Sequence, residues 1–510
     1  MFFLALCAGL LTIFAVRYLL EQRRLLRIAG HFSGPKAYPF VGSMLEFAGR
    51  DIPGIFQRMV EMHDEYGRDF AVWGTGSELM FVFSSARSVE KVLMAKATQK
   101  SDLYTMIEPW LGRGLLISSG EKWFHRRKII TPTFHFKILE GFAEVFNRET
   151  GVLVENLAKH DGKEEFDVYD YITLLALDSI CETSMGVHVN AQQNPNNQYV
   201  CDVKRMSELI LLRIFSVFSS WKTFYWYLMP KAWEQRKLIK RLHQFTDSVI
   251  QKRRKQLQQD KQLGSVEFDL NEADMYSKRK QTFLDLLLNV TVDGKPLSDE
   301  DIREEVDTFM FEGHDTTTSG IAFTILQLAK HQELQQKVYD EIVAILGQEG
   351  SKTTPLTYNN LNDFKYLDMV IKESLRLLPP VSFIGRRLLE DTEINGVTIP
   401  AGLDVTVPIY IVHRNPDVYP DPERFDPERF AEGSEQQQRR GPYDYIPFSV
   451  GSRNCIGQRY AIMELKITII KLLANYRILP GDKLRDIRFK TDLVLRPAEG
   501  IPIKIVTRHS

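Results

Sequence analysis

Residues 448–457 read Phe448-Ser449-Val450-Gly451-Ser452-Arg453-Asn454-Cys455-Ile456-Gly457. They place one cysteine on a glycine-flanked loop that leads into an apolar helix, predicted from Gln458 to about Leu473. Glycine permits backbone conformations and close approaches that a side chain would block. A cysteine just before a helix lies near the positive end of the helix dipole, which favours thiolate over thiol. The alternative is a buried structural cysteine, a common state of free cysteines.

This loop resembles the haem-binding loop of the cytochrome P-450 monooxygenases, F-x-x-G-x-R-x-C-x-G, at every fixed position. Five fixed positions within ten residues make a chance match a poor explanation. The resemblance implies that Cys455 is the axial thiolate of a haem b iron, a ligand that favours O–O cleavage. It also implies that Phe448, Arg453 and Gly457 contact the haem.

Composition sets broad limits on the kind of protein. The chain has 510 residues and a formal net charge of −1, which gives no sign of nucleic-acid binding. Its four cysteines have neither zinc-ligand spacing nor the density of a disulfide scaffold, so a reducing compartment is expected. Polar and charged residues from 251 to 282 predict a solvated helix end followed by a mobile loop.

The N-terminus predicts a membrane anchor over residues 1–20, which are apolar apart from Thr12 and Arg17. Arginines follow the segment within a basic and proline-rich hinge, residues 21–45, and the positive-inside rule then places the body in the cytoplasm. Residues 46–510 would form the catalytic domain. The expected location is the endoplasmic reticulum membrane, with a single pass. A cleaved signal peptide is the alternative, but it usually has a basic start and a small-residue cleavage site.

A long helix is predicted from Ser298, a cap residue followed by acids, to about residue 330. A glycine at its centre, Gly313, costs about 1 kcal/mol against alanine, so something needs that space. The segment resembles the family's (A/G)-G-x-(D/E)-T, which crosses the haem face where oxygen binds. The resemblance implies that Thr316 steadies bound dioxygen and that Asp315 relays protons inward.

Glu312 departs from the usual alanine or glycine of the superfamily. Together with the preceding Glu305-Val306-Asp307-Thr308-Phe309-Met310-Phe311, it gives the signature of family four of the superfamily. In that family the equivalent glutamate can form an ester to a haem methyl, and we extend this to Glu312 as a hypothesis. The alternative is a protonated, hydrogen-bonded glutamate, because a buried carboxylate is costly otherwise.

Further motifs supply haem contacts and a structural network. Trp123 and Arg127 lie four residues apart on one helical face, as in the family's propionate-binding W-x-x-x-R. Arg386 resembles another propionate ligand, with Arg387 as a competitor. The pair Glu373 and Arg376 matches the family's E-x-x-R, with the arginine of the second PERF copy, Arg429, as the third member of a structural network behind the haem.

The resemblance implies a mainly α fold with a smaller β region, the cytochrome P-450 fold with an N-terminal membrane anchor helix. The implied reaction inserts one atom of O2 into a lipophilic substrate. No dinucleotide or flavin motif is evident, so electrons come from a separate NADPH-cytochrome reductase, with cytochrome b5 as a further candidate partner. Arg126, Lys128 and Arg459 are candidate docking residues for an acidic partner surface.

The substrate is less constrained. Family four resembles fatty-acid ω-hydroxylases, so a medium- or long-chain acid is the first choice, and oxidation of foreign lipophiles or hormones is the alternative. A haem-thiolate protein that binds ligands without turnover is a third hypothesis. Pocket-lining segments are expected around Leu103 to Leu116, Val381 to Ile384 and Leu493 to Arg496. The aromatic-rich residues 209–230 serve either as pocket roof or as core.

Overall fold

The structure, a computed structural model, describes residues 2–75, 78–95, 98–216, 222–262, 282–292, 294–484 and 487–508. Most of the predicted mobile loop, residues 263–281, lies outside these ranges, as do Phe218 and Trp221 of the aromatic-rich segment. Within the described residues the α-helices are Phe2–Ala29 (α1), Ile52–Tyr66 (α2), Ala86–Met94 (α3), Glu108–Leu111 (α4), Gly120–Ile130 (α5), Phe136–Leu157 (α6), Val168–Thr183 (α7), Gln198–Ile214 (α8), Lys222–Leu228 (α9), Pro230–Gln262 (α10), Phe283–Asn289 (α11), Asp299–Lys330 (α12), Gln332–Leu346 (α13), Gly350–Thr353 (α14), Lys365–Leu377 (α15), Ile409–Val412 (α16), Glu435–Arg439 (α17) and Gln458–Asn475 (α18).

The strands are short and belong to small sheets. They are Asp69–Trp73 (β1), Leu79–Phe83 (β2), Thr98–Lys100 (β3), Phe166–Asp167 (β4), Thr291–Val292 (β5), Lys295–Pro296 (β6), Ile384–Leu388 (β7), Thr392–Ile394 (β8), Val397–Ile399 (β9), Asp404–Val407 (β10), Tyr476–Pro480 (β11), Phe489–Thr491 (β12), Leu495–Pro497 (β13) and Pro502–Thr507 (β14). The largest sheet has the order β1-β2-β10-β7-β3, with only the β2–β10 pair parallel. The mainly helical architecture with a smaller β region is as predicted.

Helix α12 runs through the centre of the main core. Ser298 caps it by accepting a hydrogen bond from Asp301 N, and three acids occupy its first turn, where the helix dipole favours them. From Thr317 to Ala329 every residue is buried, which marks a helix surrounded on all sides. It packs in one large apolar cluster with α6, α7 and α18. The predicted limits of this helix and the start of α18 are confirmed.

The N-terminal helix α1 extends past residue 20 as far as Ala29. Its last turns belong to the body, because Leu25 and Ala29 are buried in the cluster on the largest sheet. Phe32 continues this contact with its ring 5.1 Å from that of Phe81. Among the helices within the described ranges, none combines the length and the apolar character that crossing a membrane requires.

Candidate functional site

The cysteine loop closes on itself just before α18. Cys455 N donates to Phe448 O at 2.9 Å, and Asn454 N donates to Gly451 O at 3.2 Å. Gly451 has φ +78°, and a Cβ there would lie 2.9 Å from Leu93 O, so this position needs glycine. Gly457, in contrast, has an ordinary backbone, and a Cβ there would meet only Cys455 Sγ at 4.0 Å.

The side chain of Cys455 faces a cavity of about 780 Å³ that Phe448 and Gly457 also line. Burial raises the pKa of the Cys455 thiol to about 11, although the Gly457 N–H and the charge of Arg127 act in the opposite direction. In the protein without a bound metal, burial thus outweighs the groups that favour the thiolate. A coordinated cation deprotonates a thiol outright, so the same thiol remains suited to a metal.

Glu312 and Thr316 line the same cavity from α12, one helical turn apart. Thr316 Oγ1 donates to Glu312 O at 2.7 Å. Burial raises the pKa of Glu312 to about 7, and the charge of Lys100 opposes the rise. A carboxyl and a hydroxyl thus occupy the cavity wall on α12, while Cys455 lines the cavity from its own loop.

The space at Gly313 is used for helix packing. A Cβ at this residue would lie 2.6 Å from Cγ1 and Cδ1 of Ile180 on α7. The glycine therefore lets α7 and α12 approach closely. This need for a small residue at position 313 was not predicted from the sequence, which indicated only the oxygen-binding segment.

Asp315, next to Thr316 in the sequence, lies outside the cavity lining. It is not among the cavity-lining residues within the described structure, and its Oδ2 accepts a 2.5 Å hydrogen bond from Arg496 Nη2. Arg496 Nε lies 3.6 Å from Oδ1 of a second carboxylate, Asp492, which does line the cavity. Arg496, predicted as a pocket-lining residue, is thus a buried ion-pair partner of Asp315.

Trp123 and Arg127 lie four residues apart on α5, as their spacing predicts, and both line the cavity. Arg127 donates to Asn454 O at 3.0 Å and to Asn454 Oδ1 at 2.8 Å, so it also fixes the residue before the cysteine. The guanidinium of Arg453 lies 4.0 Å from the centre of the Trp123 ring. Its Nη1 is buried without a hydrogen-bond partner. These groups form a cationic edge to the cavity.

Arg386 and Arg387 on β7 have different surroundings. Arg387 makes a short hydrogen bond to Asp102 and lies 3.8 Å from Asp404. Arg386 is 3 % exposed, and its Nη1 donates to Gly385 O. Within the described residues no carboxylate forms an ion pair with Arg386. Burial lowers the pKa of this arginine, which is a cost that an anionic ligand would offset.

Lys100 is a member of the site that sequence analysis missed. It lines the cavity, and it lies directly opposite Arg386 in the β3–β7 pair. Like charges at such positions are destabilising. Burial, with the charges of Arg386 and Arg453, lowers the pKa of Lys100, while Glu312 acts to raise it. The signal that could have revealed Lys100 is its strand register with Arg386, which no local motif carries.

The predicted structural network is assembled as expected. Arg376 donates to both oxygens of Glu373 at 2.7 and 2.8 Å, and neither side chain is exposed. Arg429 Nε lies 3.5 Å from Glu373 Oε1, while its Nη2 donates to Pro420 O at 2.7 Å. This pairing makes the burial of the charges tolerable.

One predicted docking residue is misplaced. Arg126 is 6 % exposed and binds Asp301 at 2.6 Å, so it cannot present its charge to a partner protein. Lys128 and Arg459 are exposed. The prediction therefore fails for Arg126 because that arginine serves an internal ion pair.

The predicted pocket segments contribute to the cavity through Leu103, Leu116, Val381, Ile384 and Leu493. The aromatic-rich residues 209–230 serve both predicted roles, as cavity lining and as core. Leu211, Ile214 and Phe215 line the cavity, whereas Tyr225 is buried in the protein.

The chain is similar to known proteins over nearly its whole length. The family model described as Cytochrome P450 matches residues 32–505. The protein named Cytochrome P450 4d2 of Drosophila melanogaster is 42 % identical over 98 % of both chains. Cytochrome P450 4V2 of Homo sapiens is 42 % identical over 93 % of this chain and 89 % of its own. Cytochrome P450 4c3 of Drosophila melanogaster is 39 % identical over 98 % and 94 %, respectively.

Proposed function

This chain belongs to the cytochrome P450 family and, within it, to family four, and we propose that it hydroxylates a medium- or long-chain fatty acid at its terminal carbon. As a family member it is a haem-containing monooxygenase that uses O2, electrons from a reductase and a lipophilic substrate. The observation that carries the proposal is that the thiol of Cys455 and the Glu312–Thr316 face of α12 line one cavity.

The residues present fit haem. Haem is a flat apolar ring system with two carboxylates, and the cavity combines apolar walls with buried cations at one edge. Arg386 is not itself in the cavity lining, but it lies opposite the lining residue Lys100 and has no carboxylate ion-pair partner in the described structure. Arg453, which does line the cavity, has its Nη1 buried without a partner. Such groups are costly to bury unless an anion meets them. Haem, when bound, supplies the activation of dioxygen and the transfer of one oxygen atom to carbon.

We assign the groups that hold haem from this arrangement. Cys455 would provide the sulfur ligand to iron, with Phe448 and Gly457 beside it. Two groups of cations would bind the propionates. One contains Arg127 and Arg453 with Trp123, and the other contains Arg386 with Lys100.

Proton handling falls to two neighbouring residues of α12. Thr316 places its hydroxyl in the cavity wall, where it would hold a proton for transfer into the cavity once its own bond to Glu312 O is released. Asp315 lies outside the cavity, and Arg496 holds its carboxylate in a fixed place. We propose that Asp315 passes protons from the protein interior toward Thr316 when its bond to Arg496 loosens.

Glu312 would link haem to the chain through an ester. Its placement in the cavity wall supports this role, and the charge of Lys100 favours the carboxylate form against the effect of burial on the pKa. After turnover and denaturation, mass spectrometry of the wild-type chain should show haem attached to the peptide that contains Glu312. The Glu312→Gln variant should release its haem, and release from the wild type would contradict the ester.

The cavity supports an extended apolar substrate. Its lining includes the apolar side chains of Phe47, Met59 and Phe215 as well as Cys455. Burial of apolar surface contributes about 25 cal/mol per Å², so a long hydrocarbon chain would bind well against these groups.

The electron donor would be an NADPH-dependent cytochrome reductase, with cytochrome b5 as a second donor. Exposed Lys128 and Arg459 could face the acidic surface of such a partner. The apolar residues 2–16 and the arginines after them support a single-pass anchor in the endoplasmic reticulum membrane, with the catalytic body in the cytoplasm. Resistance of the full chain to alkaline extraction from microsomes would test the anchor.

Two measurements test the proposed function. The reduced protein treated with carbon monoxide should have the red-shifted Soret band of thiolate-ligated haem, and Cys455→Ala should abolish it. With reductase and NADPH, lauric acid should yield mainly the product hydroxylated at the terminal carbon. A Soret band that persists in Cys455→Ala would refute the ligand assignment, and absence of any fatty-acid product would refute the substrate.

A second candidate is oxidation of uncharged foreign lipophiles or hormones. One observation favours it. Arg387, a cation in the cavity wall, already has Asp102 and Asp404 as partners and is poorly placed to recognise a substrate carboxylate. Turnover of neutral lipophiles but not of lauric acid would select this candidate.

A further inference from the structure

The first half of the family-four signature has no part in the oxygen chemistry described above. Glu305 and Asp307 lie on α12 about two turns before Glu312 and are buried. Glu305 faces residues 108–118, which we call the wall segment because Leu115 and Leu116 within it line the cavity, and Asp307 faces α10. The contacts between α12 and the wall segment indicate what these acids do.

Carboxylates of α12 bind the backbone of the wall segment directly. Leu115 N donates to Glu305 Oε2 at 2.9 Å in a buried hydrogen bond. Arg113 N donates to Glu304 Oε1, also at 2.9 Å. Because backbone atoms are the donors, these bonds fix the course of the chain on both sides of Gly114. The side chain of Leu115 is thereby held at a set place in the cavity wall.

Glu305 is not exposed at all, and burial raises its pKa to about 7 against the opposing charge of Arg126. Arg126 Nε lies 3.6 Å from Glu305 Oε1, and Arg126 also binds Asp301 at 2.6 Å. A buried carboxylate is tolerated when it is paired and hydrogen-bonded. The wall segment is thus bound to an ion-paired anchor rather than to a mobile surface acid.

The two surfaces also fit without room for a side chain. A Cβ on Gly112 would lie 2.3 Å from Glu304 Cγ. A Cβ on Gly114 would lie 2.6 Å from both Glu304 O and Thr308 Oγ1. The wall segment is therefore packed closely against α12 at Gly112 and Gly114, and shifting it along the helix would disturb these contacts.

Asp307 connects the same region to α10. Thr246 Oγ1 donates to Asp307 Oδ1 at 2.6 Å. His243 Nε2 lies 2.7 Å from Trp110 O and 3.6 Å from Asp307 Oδ2. The ring of Trp110 packs against Phe311 with 4.8 Å between centroids. Three elements, α10, α12 and the wall segment, are thus joined at one place.

We propose that Glu305 is a positioning residue that determines which carbon of the substrate is oxidised. It fixes Leu115 and Leu116 relative to Glu312, which lies seven residues further along the same helix. This inference rests on the proposed function, oxidation of an extended hydrocarbon chain. Terminal C–H bonds are stronger than internal ones, so attack at the end of a chain must be imposed by the shape of the cavity. A displacement near 1 Å in such a wall alters reaction geometry substantially.

Replacement of Glu305 tests the proposal by the ratio of terminal to internal hydroxylation of lauric acid. Glu305→Ala loses the acceptor for Leu115 N, and we expect the ratio to fall by about tenfold, the effect of losing one buried hydrogen bond. Glu305→Gln keeps an oxygen acceptor on a side chain of the same length, and its ratio of terminal to internal product should stay close to that of the wild type. Glu300→Ala, on an exposed acid of the same helix, is the matched control and should leave the ratio unchanged.

Each protein is first checked for the Soret band of thiolate-ligated haem, so that the ratio is measured on folded enzyme. A ratio that is unchanged in folded Glu305→Ala overturns the inference. If that variant loses haem, Glu305→Asp decides, because its shorter side chain keeps the charge but cannot keep the 2.9 Å bond without moving the wall segment. An unchanged ratio there overturns the inference equally. Wild-type enzyme that forms no product counts against the proposed function, and the inference falls with it. Product with an unchanged ratio counts against the inference alone.

Discussion

Arg496 donates from Nη2 to Oδ2 of Asp315 at 2.5 Å, and both side chains are 4 % exposed. Asp315 lies in the middle of α12, and Arg496 lies on β13. Arg496 also approaches Asp492 at the tip of the hairpin that lines the cavity. The acid proposed to relay protons is therefore held by an arginine that belongs to a substrate-facing segment.

Replacement of Arg496 should impair both stability and coupling. Arg496→Met leaves a buried carboxylate without its partner, which typically costs about 3–5 kcal/mol. Misplacement of Asp315 should also lower the amount of product formed per NADPH consumed. Arg496→Lys should recover part of both. The exposed Arg488, paired with Glu499 at the surface, is the control, since loss of exposed pairs changes stability little. Equal coupling in Arg496→Met and Arg488→Met would contradict the role.

Haem retention should distinguish Arg386 from Arg387. Arg386→Leu removes a buried cation with no carboxylate partner in the described structure, so haem should be lost during gel filtration. Arg387→Leu removes a cation that already pairs with Asp102, so haem should remain. The haem content per chain, measured as the pyridine haemochrome, decides between them. The reverse order would make Arg387 the propionate ligand.

Gly313→Ala should destabilise the protein through Ile180. The new Cβ would overlap the Ile180 side chain at 2.6 Å, and overpacking of this kind costs about 1–3 kcal/mol. Adding Ile180→Val should recover part of the loss. Gly320→Ala, where a Cβ would meet Leu465 at 3.4 Å, is the matched control on the same helix. Thermal unfolding followed by circular dichroism measures the effect. If both alanines cost the same, the packing explanation is wrong.

Glu464 should make stability depend on pH. Burial raises the pKa of Glu464 to about 8, while the unfolded chain releases this proton near 4.5. The folded chain therefore binds more protons between these values, and the free energy of unfolding should fall as the pH rises, by up to about 1.4 kcal/mol per pH unit. Glu464→Gln removes this contribution.

The measurement is the unfolding temperature of both proteins at several values between pH 6 and 8.5. Burial also raises the pKa of Glu305 and of Glu312 to about 7, but these groups are present in both proteins. The difference in slope therefore isolates Glu464. Parallel slopes would show that this carboxyl does not retain its proton in the fold.

Local patterns predicted the parts of the site that lie close together in sequence. The cysteine loop, the cap at Ser298 and the pair of Glu373 and Arg376 depend on spacings of a few residues, and the structure has each as predicted. Turn chemistry and helix periodicity are sufficient for such features.

The missed features depend on contacts between distant segments. Lys100 belongs to the site because β3 pairs with β7, nearly 290 residues later. Arg496 meets Asp315 across 181 residues. Arginine is usually exposed, yet Arg126 is buried in ion pairs with Asp301 and Glu305. Each of these depends on tertiary packing, which side-chain type and spacing along the chain do not specify.

The burial of Leu25 bears on how the enzyme can be shortened for laboratory use. This side chain belongs both to the apolar cluster on the largest sheet and to the lining of the cavity. A truncation that removes all of α1 would therefore remove part of the cavity wall and of the core on the largest sheet. A chain that begins at about residue 22 would keep the last turns of the helix and with them Leu25.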